Sequence, residues 1–144
     1  DIKYLPQAYQ QAQKALLDAA KEGDLYHKFV DNNQNNVVVG LMIYVSEKYR
    51  EPITLDKAAF DLSYNASYAS RIFKKHVGCS FTTYLTQYRV SIAKAIISRN
   101  PTGKISEIAE ETGFTDVSYF IKIFKKIVGE TPFQYKHHFL GVDQ

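Results

Sequence analysis

The chain contains an internal repeat, and no other feature narrows its possible folds as much. Residues Tyr68 to Gly78 read Y-A-S-R-I-F-K-K-H-V-G, and 51 positions later Tyr119 to Gly129 read Y-F-I-K-I-F-K-K-I-V-G. Tyr68/Tyr119, Ile72/Ile123, Phe73/Phe124, Lys74/Lys125, Lys75/Lys126, Val77/Val128 and Gly78/Gly129 coincide. On a helix the apolar members share one face, while the Arg and Lys residues fall largely on the other. Upstream the offset is 50, pairing Ala59 with Ala109, Ser63 with Gly113 and Tyr64 with Phe114. The second copy therefore has one extra residue in its turn, as a repeated fold unit would and a low-complexity tract would not.

Periodicity and punctuation predict an all-α fold of about seven helices from Val37 onward. A helix from Val37 to about Arg50 is expected to bury Val38, Leu41, Met42, Val45 and Tyr49, and Pro52 breaks it. Thr54 caps a helix over 55–62, and Ser63-Tyr64-Asn65 turns the chain. Asn65 then caps a basic helix over 66–77, closed by Gly78 in the left-handed position. Two helices joined by so short a turn form a helix-turn-helix, here spanning about 54–78. Ser80 starts a linker helix over 80–99, with Phe81, Tyr84, Leu85, Tyr88, Ile92, Ala95 and Ile96 expected inward. The pattern then repeats over 105–129, with helices at 106–112 and 117–128, the second capped by Asp116. Thr131-Pro132 starts a last helix near 132–139.

The front of the chain differs. Residues 4–22 read as an amphipathic helix ended by Gly23, and Leu25–Val30 as a short strand. Asp31–Asn36 is polar and aperiodic, the best candidate boundary. Residues 1–36 are expected to be the tail of an upstream module, and 37–144 the folded domain. Because the sequence begins at Asp1 without Met, we expect it to be a piece of a longer protein.

Net charge is +3, unevenly spread. Residues 1–36 hold four Lys and five acids, whereas 37–144 hold fourteen Lys or Arg and ten acids. Each repeat copy has three basic residues and no acid, the local footprint of a nucleic-acid binder. A lone cysteine excludes an internal disulfide and fits a reducing compartment. No apolar run approaches the roughly 20 residues needed to span a bilayer. His76 and Cys79 lack the paired ligands of a zinc site, so no metal, cofactor or catalytic activity is expected.

The residues now in view resemble the DNA-binding domain of the AraC/XylS family of bacterial transcription regulators. The match is A-x3-S-Y-N-x2-Y-x2-R-x-F-K-K-x2-G-x-S-F-x2-Y at Ala59–Tyr84 and R-x3-A at Arg89–Ala93. It continues as I-S-E-I-A-E-E-T-G-F-T-D-V-S-Y-F-x-K-x-F-K-K-x2-G-x-T-P-x2-Y at Ile105–Tyr135. The resemblance implies two helix-turn-helix units whose recognition helices enter successive major-groove segments. A linker of about 19 residues spans roughly 28 Å, near the roughly 34 Å between adjacent major grooves. There are departures: Asn65 for the family's usual Ser, Ala69 for Leu, and Lys136 for Arg. Ile121 stands where the family often has a small or polar residue. Ala69 is expected to leave the first unit less filled. The string from Leu5 to Leu16 is similar to a helix that precedes the reader domain in long members, response regulators among them.

Base edges and phosphates are touched from the exposed side of such helices. The candidates are Ser67, Ser70, Arg71 and Lys74 in the first unit. In the second they are Val117, Ser118, Tyr119, Ile121, Lys122 and Lys125. Arg71 matches Lys122 in the repeat and has the fork for guanine O6 and N7. Val117 or Ile121 suits a thymine methyl, and one Lys of each pair suits phosphate. The expected partners are double-stranded DNA and RNA polymerase in a bacterial cytoplasm, with activation as the family's habit. A homodimer formed through an upstream region is left open. A protein-binding helical module and a peripheral membrane binder are the rival readings. The first would show no preference among DNA sequences, and the second would need apolar faces that the two cores consume.

Overall fold

The structure, a computed structural model, describes residues 32–141. Its described residues form helices α1 (Asn32–Lys48), α2 (Leu55–Asp61), α3 (Ala66–Val77), α4 (Phe81–Arg99), α5 (Ile105–Glu111), α6 (Val117–Val128) and α7 (Pro132–His137). The all-α class, the two helix pairs and the long connector agree with expectation. The helix proposed over 4–22 and the strand proposed at Leu25–Val30 lie outside the described residues.

Side-chain caps set the helix starts. The hydroxyl of Thr54 accepts from the Lys57 N–H at 3.1 Å, the Asn65 carbonyl from Tyr68 at 3.0 Å, and the Ser80 hydroxyl from Thr83 at 3.2 Å. Thr131 and Gln134 form a reciprocal capping box around Pro132, satisfying donors that a helix start leaves orphaned. One start was misjudged from sequence. The helix expected from Val37 begins at Asn32, so the polar run 32–36 is helical. Asn is a poor helix former, but α1 lies along α3, with Gln34 Oε1 3.0 Å from His76 Nε2 and Val37 and Val38 buried. The last helix also ends earlier than expected, at His137.

The repeat is exact in its turns. In the first unit the Ser63 N–H donates to Phe60 O at 3.1 Å and the Tyr64 N–H to Ala59 O at 2.7 Å. In the second the Gly113 N–H donates to Glu110 O at 3.1 Å and the Phe114 N–H to Ala109 O at 2.9 Å. This paired 5→2 and 6→1 bonding is a Schellman motif, which needs a left-handed residue. Ser63 takes that conformation at φ 62° and Gly113 at φ 92°. The extra residue of the second copy lies between the motif and the α6 cap.

Two cores result. The first gathers Leu41, Val45, Ala59, Ile72 and Phe73 with Tyr84 from α4. The Phe73 ring meets Phe81 and Tyr84 edge-on at 5.8 and 5.4 Å. Ala69 is completely enclosed there, where α1 packs along α3. The second core runs through Phe114, Phe120, Phe124 and Tyr135, with successive ring centroids 5.0, 5.7 and 5.6 Å apart.

Helix α4 serves both cores. Phe81, Tyr84, Leu85 and Tyr88 enter the first, while Val90, Ala93 and Ile97 enter the second from nearly the opposite side. Ile92 and Ile96, expected inward, are only half-buried. A single-stripe reading fails on a helix whose partner changes sides midway.

The Tyr44 hydroxyl donates to Asp61 Oδ2 at 2.7 Å, tying α1 to α2. Burial, then the bond to Asp61 and its charge, pushes Tyr44 from 10.0 up to about 12. The same bond, outweighing desolvation, lowers Asp61 below its ordinary 3.8. A raised Tyr pKa stabilises the fold fully below pH 10.0, and that stability is lost as pH climbs through about 12. The lowered Asp61 acts oppositely, contributing above 3.8 and losing its contribution as pH falls through its folded value. In urea melts, the advantage of wild type over Tyr44→Phe should therefore be flat near neutrality and shrink at both extremes. A difference that stayed constant up to pH 12 would contradict the assignment.

Candidate nucleic-acid interface

The second helix of each unit buries one stripe and exposes another. In α3, Ala69, Ile72, Phe73 and Val77 are buried, while Ser67, Ser70, Arg71 and Lys74 are all exposed. Their i, i+3, i+4, i+7 spacing puts the four polar residues on one line. In α6, Phe120 and Phe124 are buried and Ser118, Tyr119, Lys122 and Lys125 are exposed. Ser67/Ser118, Arg71/Lys122 and Lys74/Lys125 thus occupy matched places, each 51 apart.

The two stripes are not copies. Val117 and Ile121, the candidates for a thymine methyl, are half-buried and pack on the second core. Ile121 stands where the first unit has exposed Ser70, so the second stripe is more apolar. Tyr119 remains 49% exposed, leaning on Phe114 with ring centroids 6.2 Å apart. Its counterpart Tyr68 is half-buried, and the Arg71 guanidinium lies over its ring at 5.5 Å. That contact holds the arginine at the surface without neutralising it. Among the described residues Arg71, Lys74, Lys122 and Lys125 form no ion pair.

The helix starts also point outward. Asp116 Oδ1 accepts from Ser118 at 2.9 Å and Tyr119 at 3.3 Å. Asn65 does the same for α3, leaving other first-turn N–H groups available to an anion. Thr115, the extra residue of the second turn, is exposed beside Asp116. Lys136 donates to Gly103 O at 2.6 Å, so it braces the turn before α5. His138 meets Glu130 at 2.7 Å, and no cluster of three metal-binding side chains occurs among the described residues.

Sequence reasoning noted Arg89 only as part of a motif. It is a half-buried cation on α4, which also carries Lys94 and Arg99, and it is bonded to two backbone carbonyls.

Two helix-turn-helix units on a shared helix, each with an outward basic stripe, define a DNA-binding module. Residues 58–138 match the helix-turn-helix domain family. The chain is 33% identical over 106 residues to the HTH-type transcriptional regulator YtdP of Bacillus subtilis, covering 74% of this chain and 14% of that protein. It is 31% identical over 96 residues to the lactose operon transcription activator of Staphylococcus xylosus, covering 67% and 34%. Among solved structures, the C-terminal domain of AraT, a response regulator from Geobacillus stearothermophilus, superposes with a TM-score of 0.69 at 29% identity, covering 75% and 90%. The C-terminal domain of the response regulator yesN from Fusobacterium nucleatum superposes with a TM-score of 0.63 at 38% identity, covering 67% and 93%. The chain belongs to the AraC-type family of helix-turn-helix transcriptional regulators, and it spans only part of the curated relatives it matches.

Proposed function

We propose that the chain binds duplex DNA of preferred sequence by inserting α3 and α6 into successive major-groove segments on one face. One observation supports this most. Positions 67, 71 and 74 and their repeat partners 118, 122 and 125 are exposed hydroxyl or basic residues, while the opposite faces are buried. In this reading Arg71 reads a base edge, Lys122 takes the matching place, and Lys74 and Lys125 grip phosphate. Ser67, Ser70, Ser118 and Tyr119 supply hydroxyl contacts, and Val117 and Ile121 the apolar edge beside them. Activation of transcription through RNA polymerase is the proposed output, in a cytoplasmic, nucleoid setting. Residues 1–31 are the proposed tail of an upstream module, through which a homodimer would form, whereas 32–36 open α1.

A gel-shift assay with selected and scrambled duplexes at two salt concentrations tests it. Arg71→Ala is expected to cost on the order of 1–3 kcal/mol and to relax specificity at one base position. Lys74→Ala should weaken all duplexes alike and reduce the salt slope by about 1. Equal binding to selected and scrambled duplex would point instead to a protein-binding helical module.

A further inference from the structure

Arg89 lies at the crossover of α4, between Tyr88 in the first core and Val90 in the second. Its Nε donates to Tyr49 O at 2.7 Å and its Nη2 to Glu51 O at 2.8 Å. Both carbonyls belong to the segment leaving α1, in the first unit, and Glu51 O also accepts from the Ile53 N–H at 2.8 Å. The guanidinium also lies 5.8 Å from the centre of the Phe114 ring, in the turn of the second unit. Next to it, Gly113 approaches so closely that a Cβ would sit 2.5 Å from Tyr49 O and 2.9 Å from Arg89 Nε. Three segments of the chain therefore converge on one side chain.

An open cleft of about 500 Å³ separates Arg50 and Pro52 of the first unit from Glu110, Thr115 and Val117 of the second. Open space resists rotation poorly, whereas a planar fork bonded to two fixed carbonyls is directional. We propose that Arg89 is a positioning residue that sets the angle between the two recognition helices, and hence the single spacing of DNA segments the chain accepts. This rests on the proposed joint engagement of one duplex by α3 and α6.

The test uses duplexes recovered by this chain from random fragments, then altered by one base pair between the two contacted segments. Wild type should lose about tenfold or more in affinity, because one base pair turns the second segment by about a tenth of a helical turn. In Arg89→Met, checked as folded by circular dichroism, that loss should shrink to about threefold or less, since a freer joint follows either spacing. Arg89→Lys keeps the charge but has only a point donor, so it should fall between. A folded Arg89→Met with the wild-type profile overturns the assignment. Nitroxide labels on Lys75→Cys and Lys126→Cys in a Cys79→Ser background read the joint without DNA. A narrow distance distribution in wild type should broaden in Arg89→Met or, if that variant does not fold, in Arg89→Lys. Equal widths overturn the proposal. A wild type indifferent to spacing, with widths that still depend on Arg89, would sink the two-segment reading and leave the joint standing.

Discussion

Phe73→Ala is expected to cost about 3–5 kcal/mol, the range for truncating a fully buried aromatic residue. Phe73 has no exposed surface, and its ring is enclosed by the edges of Phe81 and Tyr84. Because α4 is common to both cores, the loss should not stay confined to the first unit. Domains of this size are stable by about 5–15 kcal/mol, so the variant should unfold near ambient temperature in mild urea. A shift below about 1 kcal/mol would mean that the ring is not enclosed as described. The repeat supplies a control in Ile72 and Ile123, which share a register. Ile72 is fully buried, while Ile123 is half-buried beside a groove of about 270 Å³ formed with Thr82, Thr83, Thr86 and Gln87. Ile72→Ala should therefore cost clearly more than Ile123→Ala, although the two share a sequence context.

Gly113→Ala is expected to destabilise the fold by about 3 kcal/mol, combining left-handed strain with disturbance of charged hydrogen bonds. The new methyl would stand 2.5 Å from Tyr49 O, and both that carbonyl and the nearby Arg50 backbone are fixed. Relief would require the second unit to swing away from α1, breaking the Arg89 contacts. The matched position in the first unit behaves differently. Ser63 takes φ 62° at an exposed site, so Ser63→Gly should be mildly stabilising, by about 0.5–1 kcal/mol. Urea melts of the two variants should move in opposite directions. Movement in the same direction would refute the claim that the second turn is pressed against the first unit.

Much of the fold was legible because local rules and long-range packing agree in the repeat. Asn65, Ser80, Asp116, Thr131, Gly78 and Gly129 do what short polar or glycine residues do at helix ends, and each was placed within a residue. The start of α1 was not legible, since Asn is a poor helix former and the contact of Gln34 with His76 of α3 is a long-range one. The burial of Val90, Ala93 and Ile97 was hidden for a related reason. A hydrophobic stripe reveals that a helix has a buried side, but not that its partner changes halfway along. Within the interface, the matched exposed positions could be named from spacing alone. The half-burial of Val117 and Ile121 depends on how tightly α6 settles on Phe114 and Phe120, which periodicity does not express.

What the amino-acid order determined unaided is the existence of two helix-turn-helix units, their turns, their caps and the basic side of α3 and of α6. These follow from interactions within about five residues, which backbone sterics and side-chain donors dictate directly. Only the tertiary structure decided how the units sit against one another. That relation runs through Arg89, Gly113 and the carbonyls of Tyr49 and Glu51, groups 38 to 40 residues apart for the two hydrogen bonds. No periodic pattern reports a contact of that range, because its energy comes from a fork meeting two carbonyls that other helices hold in place.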